Sequence, residues 1–467
     1  MTAPQLGRRI GMMVTNDLRL DSRVRREAGS LAAAGFEVTV YGVLTPATAD
    51  EPIERTCGFT IHRLPMLTSP IRAPEGAMTA TTSQRPIRVH PLGIAAAVFQ
   101  RTRPFLGGTI HFAVNWQFRW RRWARRVAAT AEPADIWHAH DLNALPAAIA
   151  CANRMGGRIV YDSHEIFTES GSTARLPRIV RGALRWQERR WSARCEALIT
   201  VNQPVGDYLT PALNSRRTLV LHNCAEPHPD ARRTPYLRDA IGLPADAPLV
   251  LYHGSVVEHR GLPQAVRALL EPPLRGVHLA VMGYGAVRPE LEQLARELGV
   301  EDRFHLLPPV PPADVVRWVA GADVAVMPIQ PSTLNHVLST PNKLFEALAA
   351  GVPVVGPSFA AFAHVLRDPD YGMLGRVCNP RDPADIAAAV GSLLSMDPEA
   401  MDDLRRRCLA AADRRWNWEA ESVGLVGLYE AILSPRAQTG QAGGRFARPV
   451  RGTGMERRVS QGELRVE

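Results

Sequence analysis

Of the 55 lysine and arginine side chains in the sequence, one is lysine: Lys343, in the run Thr340-Pro341-Asn342-Lys343-Leu344-Phe345-Glu346. A lone ammonium in an otherwise arginine-only composition points to a position that needs a compact, rotatable donor rather than a planar fork. Three residues apart on a helix, Lys343 and Glu346 project from one face, and the first helical turn adds unpaired N–H groups and about half a positive charge. Such a turn suits a phosphate, with a carboxylate one turn further on. Two other stretches end in histidine next to a carboxylate: Asp135-Ile136-Trp137-His138-Ala139-His140-Asp141 and Arg158-Ile159-Val160-Tyr161-Asp162-Ser163-His164-Glu165. Both read as buried strands, and open α/β sheets bind ligands at the carboxyl ends of their strands. Zinc is open to these groups on ligand type, with nothing in their spacing to fix it. Gly254-Ser255-Val256-Val257-Glu258-His259-Arg260-Gly261 reads as a strand-to-helix loop in which Arg260 offers a fork for two phosphate oxygens. Gly283-Tyr284-Gly285 ends another strand pattern and is a weak signal alone.

The elements that must position these groups follow from apolar periodicity. Around Lys343 a three-turn helix is expected, with Thr340 as N-cap, Pro341 in the first helical position and Gly351 ending it. Leu344, Phe345 and Leu348 form its packed stripe and leave the Lys343 and Glu346 face free, and Val352 to Val355 reads as a buried parallel strand. The chain opens with a strand at Ile10 to Val14, a helix from Asp21 to about Ala34 with Arg23 near its start, and a strand at Phe36 to Tyr41. Strands at Ala197 to Asn202 and Thr218 to Asn223 close the first half. A Pro- and Arg-rich linker, 225–248, holds one short helix, and strands follow at Leu249, Val277, Phe304 and Val324. The expected organisation is a domain over 1–235, a second over 236–415, a helix over 416–434 and a disordered basic tail over 435–467. Leu64 to about Gln100 reads as an irregular insertion.

At 467 residues, 46% hydrophobic and 22% charged, the chain is globular and long enough for two cores. The formal charge is +9, part of it in the tail, so the folded portion is only mildly basic. Six cysteines without a CxxC pair argue against a disulfide framework or a cysteine metal site, and for a reducing compartment. The start of the chain lacks an apolar leader, and no apolar run approaches the ~18–20 residues that span a bilayer. The expected location is cytoplasmic, free or peripheral on the inner face of the membrane. Two basic, Trp-bearing segments, Trp116 to Arg126 and Arg175 to Arg194, carry two readings: interfacial helices on an anionic membrane, or core-packing helices with solvated arginine faces. They also support an Arg-rich nucleic-acid-binding protein as an alternative of another class, with affinity falling steeply with salt.

The run Thr340 to Val355 resembles the nucleotide-sugar site of the family 4 retaining glycosyltransferases (glycosyl transferases group 1). These have the GT-B architecture: an α/β fold of two facing Rossmann-like domains, an interdomain cleft and a C-terminal crossover helix. The resemblance implies that Glu346 binds the ribose of a nucleotide-diphosphate sugar, with Asn342, Lys343 and Leu344 beside it. The earlier carboxylate of the family's Glu-x7-Glu pair falls on Leu338 and is missing. Of the family's Arg and Lys on the donor diphosphate, the first position is Ser255, after Gly254, and the second is Arg260; Gly283 and Gly285 border the nucleotide. His140 and Asp141 are implied to face the donor sugar and, with Lys343 and Arg260, to be catalytic. His164 and Glu165 lie nearby in the cleft on the acceptor side. Where many members carry a Gly-Gly pair, this chain has Asn16-Asp17-Leu18-Arg19, and Arg23 is either a phosphate or acceptor contact or a surface or capping residue. The implied reaction is sugar transfer with retention of configuration, needing neither cofactor nor metal, onto a glycan or a polyprenyl- or other lipid-linked acceptor, with no nucleic acid expected. A sugar-nucleotide 2-epimerase of the same architecture is the alternative enzyme.

Overall fold

Short apolar runs bounded by Gly and Pro become strands buried on both faces, and these strands build two mainly parallel sheets. In this computed structural model, residues 8–19, 21–56, 58–66, 115–171, 173–226 and 234–434 are described. The first sheet contains β1 (Arg9–Met13), β2 (Glu37–Leu44), β3 (Ile53–Thr56), β4 (Phe59–Pro65), β5 (Ile136–His140), β6 (Arg158–Ser163), β7 (Ala197–Thr200) and β8 (Thr218–Val220). Its order is β3-β4-β2-β1-β5-β6-β7-β8, parallel except for the β3–β4 hairpin. The second contains β9 (Leu249–His253), β10 (His278–Met282), β11 (Phe304–Leu307), β12 (Val324–Val326), β13 (Val354–Pro357) and, past the two-stranded β14 (Arg367–Asp368) and β15 (Gly372–Met373), β16 (Gly375–Cys378). Its order is β11-β10-β9-β12-β13-β16, so β9 is central and its carboxyl end opens between two neighbours.

Each sheet buries its own apolar set. Around β9 to β13 one continuous core includes Leu251, Val281, Val324 and Val355 with Leu344 and Phe345. The first sheet has a core on each face, one holding Trp137, Tyr161 and Leu145, the other Met12, Val40, Val24 and Leu31. The second of these is completed by the last described helix, Trp418–Leu433, which follows the second sheet in sequence. Asn417 caps it through Ala420 N (2.7 Å), and Trp418, Leu425, Tyr429 and Ile432 pack against Phe36, Leu31 and Val24. Trp418 Nε1 donates to Ser30 Oγ at 2.8 Å, so this helix braces the first domain.

Several expectations need revision. The structure adds the β3–β4 hairpin and β16 to the expected strands: β3 and β16 are only four residues each, whereas β4 alternates buried and partly buried positions along Phe59–Pro65. Arg121–Thr130, within the first basic segment, buries Trp123, Ala124 and Val127 in the core, as a packing helix does. Arg178–Ser192 buries Leu184 and Glu188 but leaves Ile179 (87%) and Trp186 (63%) exposed among its arginines. The insertion beyond residue 66 and the tail beyond 434 lie outside the described residues. Among those described, no helix is long and apolar enough to cross a membrane.

Candidate functional site: a donor cradle facing a buried charge cluster

The second-domain side of the site is built where β9 and β10 end. Gly254 adopts φ +105°, and a Cβ there would lie 3.1 Å from Lys343 Nζ, so only glycine lets the lysine lie against this backbone. At Gly283 a Cβ would sit 1.9 Å from Gly254 O, which is how the Gly283-Tyr284-Gly285 turn closes on the loop after β9. Helix Asn342–Ala349 begins one residue later than expected. Its N-cap is Pro341 with no side-chain cap, while Thr340 Oγ1 accepts from Asn202 Nδ2 (3.2 Å) instead of capping. The first turn is therefore free of any capping side chain.

Lys343 is not on an open face. It is buried, its Nζ 3.8 Å from the centroid of the Tyr252 ring, and the Tyr252 hydroxyl donates to Ser255 O at 2.7 Å. Burial, and then the charge of Arg260, push its ammonium well below the usual lysine range, with Glu346 opposing. Glu346 is partly open, and its Oε2 meets His253 Nε2 at 2.9 Å. Burial works against its charge, but the His253 hydrogen bond and the charges of His253, Lys343 and Arg26 hold it below the usual carboxylate range. Arg260 is half-buried and makes no hydrogen bond or ion pair among the described residues, and Asn342 is exposed at the cleft. The Leu344 side chain is fully buried in the core and its amide already donates to Pro341 O (3.0 Å), so its expected place beside the donor is corrected.

On the first-domain side, strand register does the positioning. Parallel pairing of β5 with β6 sets His140 beside Asp162. Asp162 accepts from Arg23 Nε and Nη2, both at 3.0 Å, and its Oδ2 is 3.0 Å from His164 Nε2 and 3.4 Å from His140 Nδ1. Arg23 also reaches Glu27 (2.9 Å) and Leu221 O (2.9 Å). It is thus not a surface cap: its guanidinium is engaged by Asp162, Glu27 and Leu221 O, where Asp162 outweighs burial and keeps it charged, and the side chain also lines the interdomain cavity. His140 is fully buried behind His164, so the histidine that reaches the cleft is His164, about a fifth exposed. Asp141, at φ +63°, takes His164 N on Oδ1 (3.1 Å) and lies 3.4 Å from its Nδ1. This left-handed backbone, on the order of 1–3 kcal/mol for a non-glycine residue, is what aims Asp141 at His164. Burial opposes a charge on His164, but Asp141 and Asp162 prevail and raise it to about 10. Glu165 turns away from the cleft to accept from Ser170 Oγ.

The lower part of the cluster escaped sequence reasoning. Glu27 is pushed well above its usual range by burial and then by Asp162, while burial keeps His138 and His140 neutral. His138 stacks on His140 (centroids 4.1 Å apart), and its Nδ1 pairs with the hydroxyl of Tyr429 (2.5 Å). The ligand atoms of Glu27, His138, His140 and Asp162 all lie within 4.8 Å of one another, a set that suits a divalent metal by type. Arg23 already lies between its two carboxylates, so the cluster carries its own cation and a metal would have to displace it. Glu27, His253, Tyr252 and Tyr429 belong to no local motif, and Asp162, though inside the stretch that ends in His164 and Glu165, carries no local sign of its role; the usable signal is that β5 and β6 both end in histidine motifs and so align if adjacent.

Between the domains lies a cavity of about 510 Å³ lined by Asp21, Ser22, His164 and Asn223 on one side and Ser339, Thr340 and Asn342 on the other. Asn202 donates to Leu338 O (2.8 Å), and Asn335 Oδ1 accepts from Ile166 N (2.9 Å). Leu338, in place of a carboxylate, packs against the first-domain core.

Residues 247–396 match the model of the glycosyl transferases group 1, and residues 21–228 that of glycosyltransferase family 4. A D-inositol 3-phosphate glycosyltransferase of Xylanimonas cellulosilytica is 34% identical over 215 residues, 44% of this chain and 48% of that protein. One from Geodermatophilus obscurus is 34% identical over 246 residues, 48% and 50%. The chain thus spans about half the length of the curated relatives it matches. Among solved structures, sucrose-phosphate synthase from Thermosynechococcus elongatus superposes with a TM-score of 0.64 at 18% identity, covering 91% of this chain and 99% of that one. Anabaena HepE in complex with UDP-glucose gives 0.63 at 15% identity, covering 91% and 99%. With each domain matched to its own family model and the two-domain fold shared, the chain belongs to the family 4 glycosyltransferases of GT-B architecture.

Proposed function

We propose that this protein transfers a sugar from a nucleotide-diphosphate donor to a hydroxyl of a glycan or lipid-linked acceptor, with retention of configuration and without a metal. The observation that carries the reading is the cradle itself: one uncapped helix N-terminus with Lys343, Glu346, Arg260 and the Gly254-Ser255 backbone gathered at it, opening toward Asp141 and His164. Relatives named for action on inositol phosphate and a GT-B structure solved with UDP-glucose agree with a sugar-nucleotide donor.

Departure of a nucleoside diphosphate places new negative charge on its terminal phosphate, and fixed cations in a water-poor site are worth most there. Arg260 supplies a permanent charge. Burial and the charge of Arg260 hold Lys343 well below the usual lysine range in the free protein, and an arriving diphosphate offsets both and favours its ammonium form. Glu346 takes the ribose, and the departing phosphate accepts the acceptor's proton on the same face of the sugar. The exposed Ile179 and Trp186 among the arginines of Arg178–Ser192 suit contact with an anionic membrane carrying a lipid-linked acceptor. Replacing Lys343 by alanine is expected to lower kcat/KM by about 2–4 kcal/mol of transition-state stabilisation, comparable to removal of one oxyanion donor. Unchanged turnover in Lys343→Ala, measured as acceptor-dependent release of nucleoside diphosphate, would contradict this reading.

A further inference from the structure

We propose that His253 is a positioning residue that holds Glu346 for the ribose hydroxyls and so sets discrimination between ribo- and 2′-deoxyribonucleotides. This rests on the donor reading above and goes beyond it to the residue that orients the carboxylate.

His253 is the last residue of β9, only 3% exposed, and its Nε2 lies 2.9 Å from Glu346 Oε2. Its other ring nitrogen, Nδ1, is buried and without a partner. An ionised carboxylate oxygen only accepts, so in the contact with Oε2 the Nε2–H is the donor. The ring is therefore a one-way hydrogen-bond donor to the carboxylate. The ring is buried at the end of the central strand, so it is a far less mobile partner than an exposed side chain would be. Glu346 has a long side chain with three rotatable bonds, on the second turn of a short helix. Without a partner its carboxylate would sample several rotamers, and part of the donor affinity would be lost in ordering it. With Oε2 pinned, Oε1 makes no hydrogen bond among the described residues and remains available to two neighbouring hydroxyls. A carboxylate has about four lone-pair positions, so one bond to His253 leaves capacity for a vicinal diol. Lys343 and Arg26 are the other charges that act on this carboxylate, and neither hydrogen-bonds to it, so the orientation falls to His253.

The test uses the full chain and isothermal titration with UDP, ADP, GDP and CDP and their 2′-deoxy counterparts, on wild type, His253→Gln and His253→Asn. Gln places its amide nitrogen where Nε2 stands and still reaches Glu346; Asn is too short. Both are polar, Gln is close in size to histidine and Asn is smaller, and thermal unfolding checks that both fold. The expected result is a wild-type preference of tenfold or more for the best ribonucleotide over its 2′-deoxy form, largely kept in Gln and reduced to threefold or less in Asn. In turnover, Asn is expected to raise the donor KM with much less change in kcat. Equal preference in all three proteins would overturn the role of His253 while leaving the donor site standing. A wild type that binds none of the nucleotides, or binds both forms alike, would overturn the ribose assignment to Glu346 and this inference with it.

Discussion

At the scale of single residues, the two halves of the site solve opposite electrostatic problems. Asp162 is a buried anion that Arg23, His164 and His140 hold ionised against burial, whereas burial and the neighbouring Asp162 push Glu27 well above its usual range. Asp162→Asn strips Arg23 and His164 of their buried counter-charge and is expected to cost about 3–5 kcal/mol in urea unfolding. Glu27→Gln preserves shape and neutrality and is expected to cost less than about 1 kcal/mol. Equal losses in the two variants would show that the proton is not on Glu27. His164 gives the pH dependence. Its folded value, about 10, is raised above the unfolded value near 6.5, so its stabilisation is complete below about pH 6.5 and is lost as pH rises toward 10. Thermal unfolding of wild type and His164→Gln is therefore expected to differ most at pH 6 and to converge by pH 10. A gap that stays constant over that range would mean His164 is not charged in the folded protein.

At the scale of elements, one asparagine does two jobs. Asn202 caps helix Gln203–Leu213 through Val205 N (2.9 Å) and donates across the cleft to Leu338 O. Asn202→Ala loses both the cap and the donor and is expected to cost about 1–2 kcal/mol, read by chemical denaturation; unchanged stability would mean that neither bond contributes. Elements also mark how far sequence reasoning reached. The strands ending at His140 and His253 and the helix around Lys343 were legible because apolar runs and Gly or Pro boundaries are local properties. The direction of a side chain within such an element was not. Lys343 turns inward because the aromatic face of Tyr252 and a glycine at 254 make a pocket for it, and both lie on a strand some ninety residues away. His140 lost its place in the cleft to His164 because β6 runs beside β5, a pairing no local pattern encodes. The spacing also placed Thr340 as a cap, without knowing that Asn202 would claim its hydroxyl.

At the scale of the whole molecule, the chain crosses back on itself at Trp416 to Trp418, and the final helix carries Tyr429 into the floor of the first-domain cluster. His222, at the end of the first sheet, pairs with Glu421 (3.0 Å) and packs on Phe345 and Trp416, so the crossover and the donor helix share one hub. Leu338, where the family places a sugar-binding carboxylate, instead fastens the second domain to the first. The two domains are thereby held by apolar contact, three asparagine bonds and the Arg175–Glu258 ion pair (3.1 Å), with His164 on the first-domain wall of the cavity and Asn342 on the other. The account's central claim is that a nucleoside diphosphate docks at the amino end of helix Asn342–Ala349. The crystal structure of the protein with a bound nucleotide sugar measures this directly. The expected result is ribose hydroxyls within about 2.6–3.2 Å of the Glu346 carboxylate and the diphosphate within reach of Lys343 Nζ and the Arg260 guanidinium. A nucleotide bound elsewhere, with Glu346 still held by His253 and touching no ligand, would contradict it.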